Sequence, residues 1–101
     1  MYTVTYANFG IQKKRTENGA ISALLVHQRQ NDGTMMNIGW YTRQAIIDSI
    51  LRGQTYMTIA IIENVWSVGA DVRVVRTYYG DYLRTDRDQI AADNLGNLPE
   101  G

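Results

Sequence analysis

Apolar and polar positions alternate in several distinct rhythms along this chain. Over Met1 to Asn8, Tyr2, Val4 and Tyr6 alternate with Thr3 and Thr5, the period of two that belongs to a strand. Ile11 to Gly19 carries Lys13, Lys14 and Arg15 and closes on Asn18-Gly19, which predicts a hairpin loop with a basic tip. Ile21 to Arg29 reads as the returning strand, and Asn31-Asp32-Gly33 as a turn. The rhythm then changes. Ile46, Ile47, Ile50 and Leu51 fall at helical spacing, with Thr42 placed to cap the first turn and Gly53 to end the last. A helix over about residues 41–53 is predicted.

Strand spacing returns in Thr55 to Ile62, where Met57, Ile59 and Ile61 alternate with Thr58 and Ala60. Glu63-Asn64 reads as a turn and Val65 to Val68 as a short strand or irregular bridge. Asp71 to Tyr78 is a further strand, Gly80-Asp81 a turn, and Tyr82 to Thr85 the strand that pairs back. Asp86 or Asp88 is placed to cap a short helical turn reaching Ala92. Leu95 and Leu98 are placed to pin the tail to the core. About five or six strands and one main helix make an α+β domain. Its sheet is expected to be small, curved and mostly antiparallel, with the helix on one face.

The length of 101 residues predicts a single domain, 1–101. Ten basic side chains balance ten acidic ones, so no overall field draws the protein onto duplex DNA or an anionic membrane. Zero net charge also weakens repulsion between copies and favours a homo-oligomer. The chain has no cysteine, which excludes disulfides and thiolate chemistry. No basic stretch leads into a long apolar run at the N-terminus, and no run approaches the ~20 residues of a membrane helix. A cytoplasmic address in a bacterium or its virus is expected.

The candidate chemistry is sparse. His27 is the single histidine, read as a surface or hydrogen-bonded side chain, and with no cysteine a structural zinc site lacks ligands. Asp86, Asp88 and Asp93 are dense enough to suggest a hard-cation site, but Arg84 and Arg87 lie among them and the EF-hand spacing fails. No cofactor and no metal is assigned. Gly39, Gly53, Gly69 and Gly80 do not form a phosphate loop. Arg73, Arg76 and Arg84 fall on neighbouring predicted strands with Tyr78, Tyr79 and Tyr82 nearby. That composition suits a small phosphorylated ligand or a single strand of nucleic acid, and equally a solvated sheet face. Trp40, Tyr41 and Trp66 serve either as filling between helix and sheet or as exposed anchors for a partner.

The run from Trp40 through Thr42, Arg43 and Ile47 to Gly53, then Tyr82-Leu83-Arg84-Thr85, Asp93-Asn94-Leu95 and Leu98-Pro99, resembles DUF3892, a family of small and mostly bacterial domains of unknown function. The likeness spans the last two thirds of the chain, and residues 1–40 match it poorly. It implies a shared fold and no established activity. Its polar members, Arg43, Arg84, Asp93 and Asn94, are the residues it points to for a shared site. Relatives often finish with a cysteine where this chain has Glu100-Gly101.

The leading expectation is a non-enzymatic binding or interaction module that self-associates, with itself or another protein as partner. The alternative is a nucleotide or nucleic-acid binder using Arg43, Arg73, Arg76, Arg84, Tyr82, Asp93 and Asn94. An Asp-based metal-dependent hydrolase comes last.

Overall fold

A computed structural model describes residues 7–86, 93–96 and 98–101. Six strands and one helix follow in the order β1 (Phe9–Glu17), β2 (Ala20–Arg29), β3 (Met35–Thr42), α1 (Arg43–Leu51), β4 (Tyr56–Ile62), β5 (Val65–Thr77) and β6 (Gly80–Arg84). The sheet order is β3-β2-β1-β4-β5-β6. Neighbours pair antiparallel except β1 and β4, which run parallel over Phe9–Tyr56, Gly10–Met57 and Ile11–Thr58. The chain is therefore two antiparallel three-stranded units joined by one short parallel seam. The crossover between them carries α1, as a parallel connection requires.

Several expectations change in detail. Lys13, Lys14 and Arg15 lie on β1, not in a loop, because the turn is confined to Asn18-Gly19. Both turn residues have positive φ, 53° and 81°, as a tight two-residue hairpin demands. Glu63-Asn64 repeats that solution with φ of 51° and 63°. Val65–Val68 and Asp71–Tyr78 are one continuous strand, β5, and its turn to β6 is Tyr78-Tyr79 rather than Gly80-Asp81. The strand β3 was hidden beside the stronger helical signal that follows it. The strand expected over Met1 to Asn8 and the helical turn expected between Asp86 and Ala92 fall largely outside the described residues.

Bulges curve the sheet. Gln12 is an extra residue on β1, Ser22 on β2 and Ile38 on β3, and Thr58 of β4 faces both Gly69 and Ala70. Each insertion bends its strand and strengthens the local twist. The first falls just where β1 leaves β4. Beyond it the tail fills the opening: Lys14 N–H donates to the Pro99 carbonyl, and Gly101 N–H to the Lys14 carbonyl, both at 2.9 Å.

The helix starts at Thr42, whose hydroxyl accepts from Ala45 N–H at 3.2 Å, and stops before Gly53 with φ of 102°. Ile46 and Ile47 are fully buried, Ile50 is half-buried and Leu51 is exposed, so the apolar stripe is narrower than its spacing suggests. The main core joins Ile46 and Ile47 to Ile11, Leu24, Val26, Tyr56, Val72, Leu83, Leu95 and Leu98. Both tail leucines are buried as expected. A second, smaller cluster of Ala7, Met57 and Ile59, flanked by Met35 and Trp66, stands apart from it. Neither Trp40 nor Trp66 belongs to the main core. Arg15 stacks on Trp40 with its guanidinium carbon 3.9 Å from the ring centroid. Among the described residues no helix is long and apolar enough to cross a membrane.

Candidate functional site

The arginines proposed from sequence are each committed to the chain itself. Arg43 opens α1 and reaches the tail: its Nε donates to Asp93 Oδ2 at 2.7 Å, and its Nη2 to Asp93 Oδ1 at 2.9 Å. The same Nη2 donates to the Asp81 carbonyl on β6 at 2.5 Å. This two-pronged pair is mostly shielded, with the side chains 23 % and 16 % exposed. Its hydrogen bond to Asp93 raises the Arg43 pKa above the ordinary value, against the opposing effect of burial. Asp93 Oδ1 also accepts Leu83 N–H at 2.9 Å, so one carboxylate ties helix, strand and tail together. The Arg43 guanidinium carbon lies 5.5 Å from the Tyr82 ring centroid.

A second knot forms around Asp86. Arg84, itself 4 % exposed, donates through Nε and Nη2 to the two Asp86 carboxylate oxygens, each at 2.7 Å. Arg73, the cross-strand partner of Arg84, donates to the Asp86 carbonyl. Asn94 donates its side-chain N–H to Asp86 Oδ2 at 3.1 Å. Arg76 forms an exposed pair with Asp81 at 3.1 Å, worth little on its own.

Arg43, Tyr82 and Asp93 thus meet in one place, where they share an open depression with Gln44, Tyr79 and Asp81. Arg73, Arg84 and Asn94 meet in another, and Arg76 stands at the rim. Sequence spacing placed Arg73, Arg76 and Arg84 on the right strands and set Arg84 beside Asp86, but missed Asp81 as an acceptor for Arg43 and Arg76. Of the carboxylates suggested for a cation, Asp86 and Asp93 are held by arginines, and Asp88 lies outside the described residues. Among the described residues no three His, Asp or Glu side chains are grouped to hold a metal ion.

Of the two places expected for it, surface or hydrogen-bonded, His27 takes the second. It is 4 % exposed, edge-on to Trp66 at 4.8 Å between centroids. Its Nε2 meets Gln12 Oε1 at 2.8 Å, the bulge residue described above, while Nδ1 is buried without a hydrogen-bond partner. With Nε2–H as the donor, Nδ1 is a bare lone pair in apolar surroundings. Burial lowers the His27 pKa below 6.5. The unfolded chain then takes up this proton at higher pH than the folded one. Stability is complete above pH 6.5 and declines as pH falls from there through the folded pKa. Carboxylates titrate near pH 4, so loss of stability between pH 6.5 and about 5 belongs to His27. His27→Phe is expected to flatten the urea-unfolding free energy over that interval; an unchanged slope refutes the assignment.

Apart from Met36, Tyr41 and Leu51, the exposed large apolar residues lie at two turns elsewhere. Ile61, Ile62 and Val65, each at least half exposed, flank the Glu63-Asn64 turn at the end of the β4–β5 arm. Behind it runs a groove lined by Ala60, Ile62, Ala70, Leu95, Leu98 and Pro99 among others. Tyr78 and Tyr79, 97 % and 80 % exposed, form the turn at the opposite end of β5.

A family model described as "Protein of unknown function (DUF3892)" matches residues 10–99. The chain belongs to that family. The match takes in the β1–β3 unit that the motif likeness left out. No curated protein and no solved structure matches the chain.

Proposed function

We propose that this member of the DUF3892 family is a non-enzymatic interaction module that self-associates through the β4–β5 arm. The observation that carries the reading is the arm itself: three β-branched side chains stand exposed around one turn, with an apolar groove against the same arm. A two-fold interface needs one patch that is complementary to itself. An apolar projection beside an apolar groove meets that need, since each copy's arm can enter the other's groove. Zero net charge adds no long-range repulsion. The nucleotide reading draws less support, because Arg43, Arg73, Arg76 and Arg84 all donate to oxygens of the chain itself.

Sedimentation velocity across the micromolar range tests the proposal. A dimer is expected for the unaltered chain. Ile62→Glu with Val65→Lys should give a monomer with an unchanged circular dichroism spectrum, while Tyr78→Ala leaves the dimer intact. A monomeric parent, or an arm variant that still dimerises, overturns it.

A further inference from the structure

A separate cleft opens where α1 passes over the sheet near β2 and β3. Its cause is local. Ala45 and Ser49 are four residues apart on α1 and so share a face. Both are short, and the helix leaves a space of about 220 Å³ above the strands. Phe9, Val26, Ile38, Tyr41 and Tyr56 supply the apolar walls. The Phe9 and Tyr56 rings stack on each other at 4.9 Å between centroids with 21° between planes, which makes one wall aromatic.

A few polar groups line the same cleft. Tyr56 donates its hydroxyl to Ser49 Oγ at 3.0 Å, and burial, the largest influence on it, pushes the phenol pKa up, so it stays a neutral donor. Tyr41 and Arg52 complete the rim. Arg52 differs from the arginines of the two knots. Its backbone N–H closes the helix on the Asp48 and Ser49 carbonyls, but among the described residues its guanidinium forms no ion pair. It is the cation of a partly enclosed aromatic cleft.

We propose that this cleft binds a small single-ring aromatic anion, with its ring against the Phe9–Tyr56 wall and its charged group on Arg52 at the rim. Size and charge select that class. Pockets for drug-sized ligands run from about 300 to 1,000 Å³, so this one takes one ring and a small substituent rather than a nucleotide. A guanidinium recognises a carboxylate or a phosphate through two parallel hydrogen bonds. The site is independent of the β4–β5 arm and stands or falls separately from dimerisation.

The test is binding of benzoate and of phenyl phosphate, followed by chemical-shift changes at the Ala45 methyl and the Phe9 and Tyr56 rings. Benzyl alcohol serves as the uncharged ring and acetate as the ringless anion. At least one aryl anion is expected to saturate these shifts, and the comparison of the two tells carboxylate from phosphate. Benzyl alcohol and acetate should bind more weakly by roughly tenfold or more, the worth of a charged hydrogen bond or a ring contact. Arg52→Gln, an exposed change that leaves the fold alone, should weaken the aryl anion by a similar factor. Ala45→Leu fills the cleft and should abolish binding. No saturable shift with either aryl anion overturns the proposal, as does equal binding of benzyl alcohol or undiminished binding by Arg52→Gln.

Discussion

Removing residues 93–101 is expected to abolish cooperative unfolding altogether. The segment looks like a terminal tail, yet it takes part in every layer of the domain. Leu95 and Leu98 are buried in the main core beside Ile46, Ile47 and Leu83. Burying one leucine is worth about 1.5–3 kcal/mol. Asp93 holds Arg43 and accepts Leu83 N–H at its carboxylate, and Leu83 and Thr85 exchange two backbone hydrogen bonds with Asn94. Pro99 and Gly101 occupy the edge of β1 that has parted from β4. Domains of this size have net stabilities of about 5–15 kcal/mol, so losing all of these together leaves little or nothing. Calorimetry of the truncated chain should show no transition. A melting temperature within a few degrees of the full chain would mean that the tail is not part of the core.

Asp93→Ala should be the most damaging single change on the polar side. It leaves the Arg43 guanidinium one of its three hydrogen bonds, that to the Asp81 carbonyl, and removes the acceptor of Leu83 N–H. Breaking a fully buried ion pair costs about 3–5 kcal/mol. Here both partners keep some contact with water, so about 2–4 kcal/mol is the fitting range. Arg43→Ala removes the cation instead and should cost less. The double variant should be less destabilised than the sum of the two, with a coupling of about 1 kcal/mol or more in urea unfolding. Strict additivity would show that the pair is a surface ornament rather than the clamp between helix and tail.

Local chemistry was the legible part of the sequence. Thr42 and Gly53 bound the helix where capping rules place them, and Asn18-Gly19 and Glu63-Asn64 turn as their residues require. What escaped was whatever depends on residues far apart in the chain. The parallel seam of β1 with β4 joins segments almost fifty residues apart, and no local pattern announces it. The second strand unit merged because Gly69, a residue that usually interrupts a strand, sits in a bulge. His27 was read as either a surface or a hydrogen-bonded side chain; of these the hydrogen bond to Gln12 is present and the surface place is not, because its strand face lies against Trp66. Arginines could be counted in the sequence, but the acceptors far from them in the chain could not be assigned. The family likeness pointed to Arg43, Arg84, Asp93 and Asn94 for a shared site, and the contacts described for them are internal ones that hold helix, strand and tail together.

The bulge opposite Thr58 separates the molecule into two phases. Inward of it, Met57 faces Asp71; outward, Ile59 faces Val68; between them Thr58 meets Gly69 and Ala70, accepting the Ala70 N–H at its Oγ1 at 2.9 Å. A Cβ at position 69 would stand 2.1 Å from that same oxygen, so the junction is closed to any larger residue. Because side chains alternate along a strand, an added residue normally turns every later one inside out. Here the odd count is absorbed at the junction. The arm can lengthen or shorten by whole cross-strand pairs, and its tip can change composition, while Val72 and Tyr56 keep facing the core. Change at the tip of the arm is thereby uncoupled from the packing of the core.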